Sequence, residues 1–165
     1  MTLTRRTERL ALPETTEPSS QIEIHARIEQ LPDLEHWVEQ LALEFLLPPP
    51  LVQRIDICLT ELVSNVISYG YPNGGLGTVR IRFWRQPEQI VIRIDDDATS
   101  FDPTAYVLPG LPSSLADATS GGRGIRLVRH FTDELHHVTA AAGNQLTLVF
   151  RIGGTGMLSS ADSRQ

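Results

Sequence analysis

Several classes of protein are excluded by what this 165-residue chain lacks. A single cysteine, Cys58, rules out an internal disulfide framework, and no apolar run approaches the roughly 20 residues that cross a bilayer. Acidic residues outnumber Lys and Arg by 20 to 14, so no broad basic surface favours nucleic acid as a partner. No apolar h-region follows the N-terminal arginines, which excludes a secretory signal. These absences predict a cytoplasmic protein that contacts neither membrane nor nucleic acid directly.

The length of the chain predicts one domain with a single sizeable core. Residues 1–20 and 153–165 are polar, and we expect flexible tails there, on either side of a folded domain over residues 21–152. Cys58 falls on the apolar side of a predicted helix, where a buried, unreactive thiol is the usual role of a free cysteine.

Periodicity divides the folded part into five strands and three helices. Alternating apolar residues predict strands over 21–28, 78–85, 89–95, 134–139 and 145–152. Helical spacing predicts helices over 31–47, 51–67 and 124–131. Clustered strands with helices grouped on one face predict a two-layer α/β sandwich with a mixed, mostly antiparallel sheet. The long segment 102–122, with three prolines and weak periodicity, is typical of a lid or a binding loop.

A narrow polar stripe interrupts the otherwise apolar helix predicted over 51–67. Glu61 and Asn65 lie one turn apart on it, and Ser64 and Ser68 continue the same face. A carboxylate opposite a wide apolar face needs water, a partner or a ligand. The stripe by itself favours a solvated helix face. It is also compatible with an amide ligand for Mg²⁺ beside a carboxylate that accepts a proton from an attacking hydroxyl.

Three adjacent carboxylates, Asp95 to Asp97, end the third predicted strand and lead through Ala98 to Phe101 and the turn at Pro103. A buried Asp at a strand end can accept a hydrogen bond from an adenine amino group, and a small neighbour lets the ring approach the backbone. A solvated acidic loop is the alternative, because three adjacent acids cannot all be buried at low cost.

A glycine cluster, Gly121-Gly122-Arg123-Gly124-Ile125, precedes the last predicted helix. Glycines before a helix leave backbone N–H groups free to point at phosphate, and the positive helix end assists them. Taken alone, the cluster is a weak signal and is more often a lid hinge or a plain helix start. It is not a Walker A loop, because no Lys-Ser/Thr follows, and a proline-rich loop stands where a dinucleotide fingerprint requires a strand.

The order and spacing of these segments resemble the anti-sigma-factor serine/threonine protein kinases, small relatives of the histidine-kinase ATPase domains in the GHKL superfamily. The resemblance covers residues 20–152. It is carried by Glu61 to Gly70, by Asp96 to Pro103, and by Gly121 to Val128 with Asp133-Glu134 after it. It implies the Bergerat ATP-binding fold, with ATP and Mg²⁺ as cofactors.

The resemblance also implies a role for each segment. Asn65 is similar to the family's Mg²⁺-binding amide, and Glu61 to the general base that acts on a serine hydroxyl of a protein substrate. Asp96 is similar to the adenine-recognising carboxylate, while Gly122 and Gly124 correspond to the phosphate-facing part of the ATP lid. The other nucleotide-binding positions that it implies are Ala98, Phe101, Gly121, Arg123 and Ile125.

The chain departs from the family's pattern in three places. Ala98 replaces the glycine of an Asp-x-Gly motif, which matters only if that residue needs a positive φ. Tyr69 stands where many relatives carry histidine, and the lid segment contains no lysine. Weaker binding of ATP is therefore expected. The pair His136-His137 is interpreted as structural, with the two side chains on opposite faces of a strand.

By this resemblance the protein holds a sigma factor inactive and phosphorylates a STAS-type anti-anti-sigma protein in a partner-switching circuit. Relatives are commonly dimers, so a homodimer is a further expectation. A non-catalytic module of the same fold, which sequesters a regulator, is the alternative. The ATP-binding half of a histidine kinase is disfavoured, because only about 20 polar residues precede the first predicted strand, which leaves no helical segment with a phosphoacceptor histidine.

Overall fold

The computed structural model describes residues 17–71, 77–105, 123–140 and 143–153. The strands are β1 (Ser20–His25), β2 (Thr78–Arg85), β3 (Gln89–Asp96), β4 (Glu134–Ala140) and β5 (Gly143–Arg151). The helices are α1 (Leu31–Glu44), α2 (Pro49–Tyr69) and α3 (Arg123–Phe131), with a 3₁₀ turn at Ile28–Gln30. None of the described helices has the length and apolar character needed to cross a membrane. Most of the two predicted tails falls outside the described ranges, so their flexibility stays a prediction.

The five strands form one sheet in the order β1-β2-β3-β5-β4, and each of the described pairings is antiparallel. The predicted two-layer α/β sandwich is therefore confirmed. Helix α2 packs between α1 and α3 in a single helical layer.

The core lies between the sheet and this helical layer. Along β2, for example, Val79, Ile81 and Phe83 are fully buried, as the alternation of the sequence predicted. Helix α2 contributes Ile55 and Leu59, which are fully buried on its apolar stripe. Burying each such side chain stabilises the fold by about 1.5–3 kcal/mol. The sheet and helices that carry the polar residues of interest are thereby held in fixed positions.

Two predicted boundaries are wrong by a few residues. The first strand ends at His25, because Arg27 and Gln30 form turn hydrogen bonds, and Ile28 is 58% exposed rather than inward-facing. The first helix ends at Glu44 and not at residue 47. Leu46 beyond it has a positive φ of 50° and is 87% exposed. The prolines that follow favour this early end, because proline disfavours helical backbone in the residue before it.

The end of α2 is tied directly to the chain that follows β3. Gly70 is the C-cap of α2 and donates its N–H to the Val66 carbonyl at 2.8 Å, in the last turn of the helix. The Gly70 carbonyl accepts a hydrogen bond of 2.9 Å from the Thr99 N–H. Since Asp96 is the last residue of β3, this contact fixes the acidic strand end beside the polar stripe of α2.

Candidate nucleotide site

A cavity of about 460 Å³ opens between α2, α3 and the adjoining ends of β3, β4 and β5. Its polar lining includes residues far apart in the sequence, among them Glu61, Asn65, Asp96, His137 and Asn144. Its apolar lining includes Leu62, Val66, Ile94, Ala98, Phe101, Ile125 and Leu146. An apolar cleft with a few convergent polar groups is the usual form of a small-molecule site.

The polar stripe of α2 faces this cavity at two of its four positions. Glu61 and Asn65 line the cavity one helical turn apart, whereas Ser64 and Ser68 do not line it and Ser68 is exposed. The Glu61 carboxylate lies directly against Gly124, where a Cβ would overlap its Oε2 atom. The first turn of α3 and the middle of α2 therefore meet at the carboxylate.

The three carboxylates after β3 have different surroundings. Asp95 forms an ion pair of 3.2 Å with Arg82 and accepts a hydrogen bond of 3.0 Å from the Gln145 amide. Asp97 accepts hydrogen bonds from the Tyr71 hydroxyl at 2.5 Å and from the Thr78 N–H at 3.1 Å. These two are engaged outside the cavity, and of the three only Asp96 lines it.

Asp96 is held by two donors. Its Oδ1 accepts a hydrogen bond of 2.9 Å from Asn144 Nδ2 and one of 3.0 Å from the Ala98 N–H. Burial raises the pKa of Asp96 above its ordinary value, and these two hydrogen bonds partly offset that rise by stabilising the carboxylate. Asp96 therefore presents a partly desolvated acceptor to the cavity.

Ala98 fits its position without strain. Among the described residues other than glycine, Leu46 is the one with a positive φ, so Ala98 is not in the left-handed region. Space for its methyl group is provided by Gly70, where a Cβ would lie 2.6 Å from the Cβ of Ala98. The substitution of alanine for the expected glycine is therefore accommodated locally.

The glycine cluster is described only in its second half. Gly121 and Gly122 lie outside the described residues, so their predicted role stays untested. Arg123 begins α3 with an exposed side chain, Gly124 faces Glu61, and Ile125 is buried at 3% exposure. The N-terminus of α3, the positive end of the helix dipole, thus lies at the edge of the cavity.

Comparison with known proteins agrees with this geometry. A model of the histidine kinase-like ATPase domain matches residues 24–150. The chain belongs to that family. ATP is accordingly the ligand that the family implies for the cavity, and the similarity to anti-sigma-factor kinases found in the sequence is confirmed by the relatives.

Two bacterial proteins are similar to this chain in sequence. The chain is 30% identical over 116 residues to the serine/threonine-protein kinase BtrW of Bordetella bronchiseptica, a match that covers 70% of this chain and 82% of that protein. It is 28% identical over 100 residues to the anti-sigma F factor of Clostridium beijerinckii, covering 61% of this chain and 69% of that protein.

A solved structure supports the fold alone. The RsbU and RsbW domains of a Mycobacterium tuberculosis protein match with a TM-score of 0.54 and 15% identity, covering 81% of this chain and 32% of that chain.

Two residues of this ATPase-domain site were missed by sequence reasoning. Asn144 is 8% exposed and binds Asp96, and the side chain of His137 is 4% exposed and lines the cavity. His136 points away with 46% exposure and pairs with Glu134, so the prediction that the two histidines face opposite ways is confirmed. The signal for His137 was its place in the alternation, two residues after Leu135 on the core-facing side of β4.

The residues of the cavity suit a magnesium ion that is shared with a nucleotide. Among the described residues, no cluster of three or more His, Cys, Asp or Glu side chains forms a closed metal site. Mg²⁺ in phosphoryl-transfer sites is commonly held by one or two protein oxygens, with waters and phosphates as the other ligands. The Asn65 amide, one turn from Glu61 and open to the cavity, fits that donor set.

Proposed function

We propose that the protein is an ATP- and Mg²⁺-dependent protein serine kinase and anti-sigma factor. It sequesters a sigma factor and phosphorylates a STAS-type anti-anti-sigma protein. One observation carries the proposal. Glu61, Asn65 and Asp96, three residues with different chemistry, line one cavity in a histidine kinase-like ATPase domain, with Gly124 against the Glu61 carboxylate.

The adenine ring occupies the end of the cavity beside Asp96. The carboxylate accepts a hydrogen bond from the 6-amino group, and the apolar side chains of Ile94 and Leu146 face the flat ring. Ala98 is small enough to let the ring approach the backbone after β3. Support for this orientation comes from the donors on Asp96 Oδ1, which leave the second carboxylate oxygen for a ligand.

The phosphates extend from the adenine end towards Asn65 and the N-terminus of α3. Asn65 would hold the magnesium ion, which supplies charge neutralisation to the β- and γ-phosphates when bound. The chain has no lysine, so all 14 of its Lys and Arg residues are arginines. Arg123 and the backbone N–H groups at the start of α3 are therefore the donors proposed for the phosphates.

Glu61 is the proposed general base. Its carboxylate accepts the proton of the serine hydroxyl as the serine oxygen forms a bond to the γ-phosphorus. The bond from the γ-phosphorus to the bridging oxygen breaks, and ADP leaves with the electron pair. Because this reaction depends mainly on positioning and charge, a base, a metal ligand and backbone donors are sufficient machinery.

The partners are inferred from the named relatives. One is called an anti-sigma F factor and the other a serine/threonine-protein kinase, and a chain with both properties would hold a sigma factor and modify its antagonist. A homodimer is part of the same proposal. An acidic chain with net charge −6 is consistent with protein partners.

The proposal is tested first by binding. Calorimetry with ATP and Mg²⁺ should show saturable binding by the wild type and at least tenfold weaker binding by Asp96→Asn, which keeps the size of the side chain but donates where the carboxylate accepted. Glu39→Gln, an equivalent loss of charge at an exposed site, is the control. Absence of binding in all three proteins contradicts ATP as ligand.

The second test is transfer. Wild-type protein with γ-labelled ATP should label a STAS-domain protein from the same genome, and replacing the acceptor serine with alanine should abolish the label. Saturable ATP binding without transfer to any such protein would instead identify the chain as a non-catalytic regulatory module of this fold.

A further inference from the structure

His137 is a polar side chain at a core-facing position of β4. Its neighbour across the sheet is Leu146, which is buried at 7% exposure. The side chain of His137 is 4% exposed, whereas that of His136 beside it is 46% exposed. The ring nitrogens of an imidazole so deeply placed need polar neighbours, and two polar side chains, Asn144 and Asp102, lie beside them.

Both ring nitrogens of His137 face acceptor oxygens. Nε2 lies 3.4 Å from Asn144 Oδ1, and Nδ1 lies 3.5 Å from Asp102 Oδ1. The assignment of Asn144 Oδ1 as an acceptor follows from the rest of its contacts. The amide nitrogen donates to Asp96 Oδ1 at 2.9 Å and also faces the carbonyl oxygens of Thr99 at 3.3 Å and Ala98 at 3.4 Å. The Phe101 N–H approaches Oδ1 at 3.4 Å.

The orientation of the Asn144 amide determines whether the Asp96 carboxylate receives a hydrogen bond from Asn144. With Nδ2 towards Asp96, the amide donates to the carboxylate and holds it as an acceptor that faces the cavity. A flipped amide would turn its oxygen towards Asp96 Oδ1 and the carbonyl oxygens of Ala98 and Thr99, which costs the hydrogen bond to Asp96 and removes one of the two donors on its carboxylate. Two groups face the oxygen side of the amide, the Phe101 N–H and His137 Nε2, and His137 Nε2 donates to it in the tautomer that carries the proton on Nε2.

The second contact of His137 reaches the chain that follows β3. Asp102 Oδ1 also accepts hydrogen bonds of 2.7 Å from the Thr104 N–H and 2.6 Å from the Thr104 hydroxyl. Arg129 on α3 donates to the Pro103 carbonyl at 2.7 Å. His137 therefore lies between a turn anchored to α3 and the amide that orients Asp96.

We propose that His137 is a positioning residue for adenine recognition. With the proton on Nε2, its ring N–H donates to Asn144 Oδ1 and supports the amide orientation that keeps Asp96 an acceptor for the 6-amino group of the nucleotide. The inference rests on the proposed function, because it requires Asp96 to face adenine. It predicts that loss of the ring N–H weakens recognition of one functional group of the ligand and leaves the remaining contacts in place.

The test compares two nucleotides that differ in that group alone. ATP carries the 6-amino group, and purine riboside triphosphate has hydrogen in its place. In calorimetry with Mg²⁺, the wild type should prefer ATP at least tenfold. His137→Leu should bind ATP about tenfold more weakly and bind purine riboside triphosphate within about twofold of the wild type, since a hydrogen bond to a charged group is commonly worth about a factor of ten or more.

Two further variants separate positioning from packing. His137→Gln retains an N–H donor and should keep at least half of the logarithmic preference for ATP. His136→Leu makes the same change at the neighbouring position on the opposite face and should leave both affinities unaltered. Should His137→Leu fail to fold, His137→Met removes the donor with an unbranched apolar side chain and carries the same prediction.

The outcomes distinguish this inference from the function on which it rests. A wild type that binds both nucleotides equally refutes the adenine role of Asp96, and with it the inference. A wild type that prefers ATP, combined with a His137→Leu protein that keeps the full preference or loses affinity for both nucleotides alike, overturns the inference alone. His137 would then be an ordinary packed side chain of β4.

Discussion

Gly124 and the Glu61 carboxylate are packed so closely that a single added carbon at residue 124 would overlap the carboxylate. A Cβ at residue 124 would overlap Glu61 Oε2, and it would also lie 3.1 Å from the Glu61 carboxyl carbon. Because residue 124 has no side chain, the Glu61 carboxylate can lie directly against the first turn of α3. The position of the proposed base is therefore linked to a glycine 63 residues further along the chain.

Gly124→Ala should therefore displace the Glu61 carboxylate. We expect phosphoryl transfer to fall about 10²-fold, within the range that general-base catalysis contributes, while ATP affinity changes much less. Steady-state transfer to the STAS-type substrate, with calorimetry alongside, measures both quantities. Gly124→Ala introduced into Glu61→Gln should add little further loss, because the base is already absent. Fully additive losses would show that residue 124 acts independently of Glu61.

Gly70 and Ala98 form a second pair of complementary size. Gly70→Ala should lower the free energy of unfolding by about 1–3 kcal/mol, since its methyl group would lie 2.6 Å from the Ala98 methyl and would crowd the Val66 carbonyl. Adding Ala98→Gly should recover part of the loss by removing one of the two contacts. Urea denaturation of the single and double variants measures this recovery, and none at all would mean that the carbonyl contact dominates.

Cys58 gives a measure of native packing around α2 that does not depend on ligands. Burial raises the pKa of its thiol from 9.0 to about 12, because the interior disfavours the thiolate. Iodoacetamide at pH 8 should label the native protein far more slowly than the urea-unfolded protein, with Cys58→Ala as the unlabelled control. Rapid labelling of the native protein would contradict the packing.

The same shift has a consequence for stability. The unfolded thiol loses its proton near pH 9.0 while the folded thiol keeps it, so stability that is present below pH 9 should decline as the pH rises towards 12. Denaturation of the wild type and of Cys58→Ala at pH 8 and pH 10.5 isolates this contribution as the difference between the two proteins.

Periodicity predicted most of the fold because the core is regular. Val79, Ile81 and Phe83 alternate along β2, and helical spacing in α2 buries Ile55 and Leu59 as expected. The alternation of apolar residues did not predict where local turns end a strand. Ile28 continued the alternation of β1 but lies in a 3₁₀ turn, because hydrogen bonds at Arg27 redirect the chain.

Sequence reasoning found the chemistry of the site more readily than its supporting contacts. Glu61 and Asp96 were singled out by the resemblance to the anti-sigma-factor kinases, since the residues alone also allowed a solvated helix face and a solvated acidic loop. Asn144 and His137 were not identified as site residues, since their roles depend on which side chains meet across β3, β4 and β5. Local sequence periodicity does not determine the order of the strands in the sheet. The same reasoning could not assign separate partners to Asp95 and Asp97.

The most direct measurement is a comparison of Glu61→Gln with Asn65→Ala in binding and in transfer. Glu61→Gln should bind ATP with Mg²⁺ within a few-fold of the wild type while transfer falls by about 10² to 10⁴, the range expected of a lost general base. Asn65→Ala should lose the Mg²⁺-dependent part of ATP binding as well as transfer. Equal losses of ATP binding in the two variants, or full transfer by Glu61→Gln, would contradict the separate roles proposed for Glu61 as general base and for Asn65 as magnesium ligand.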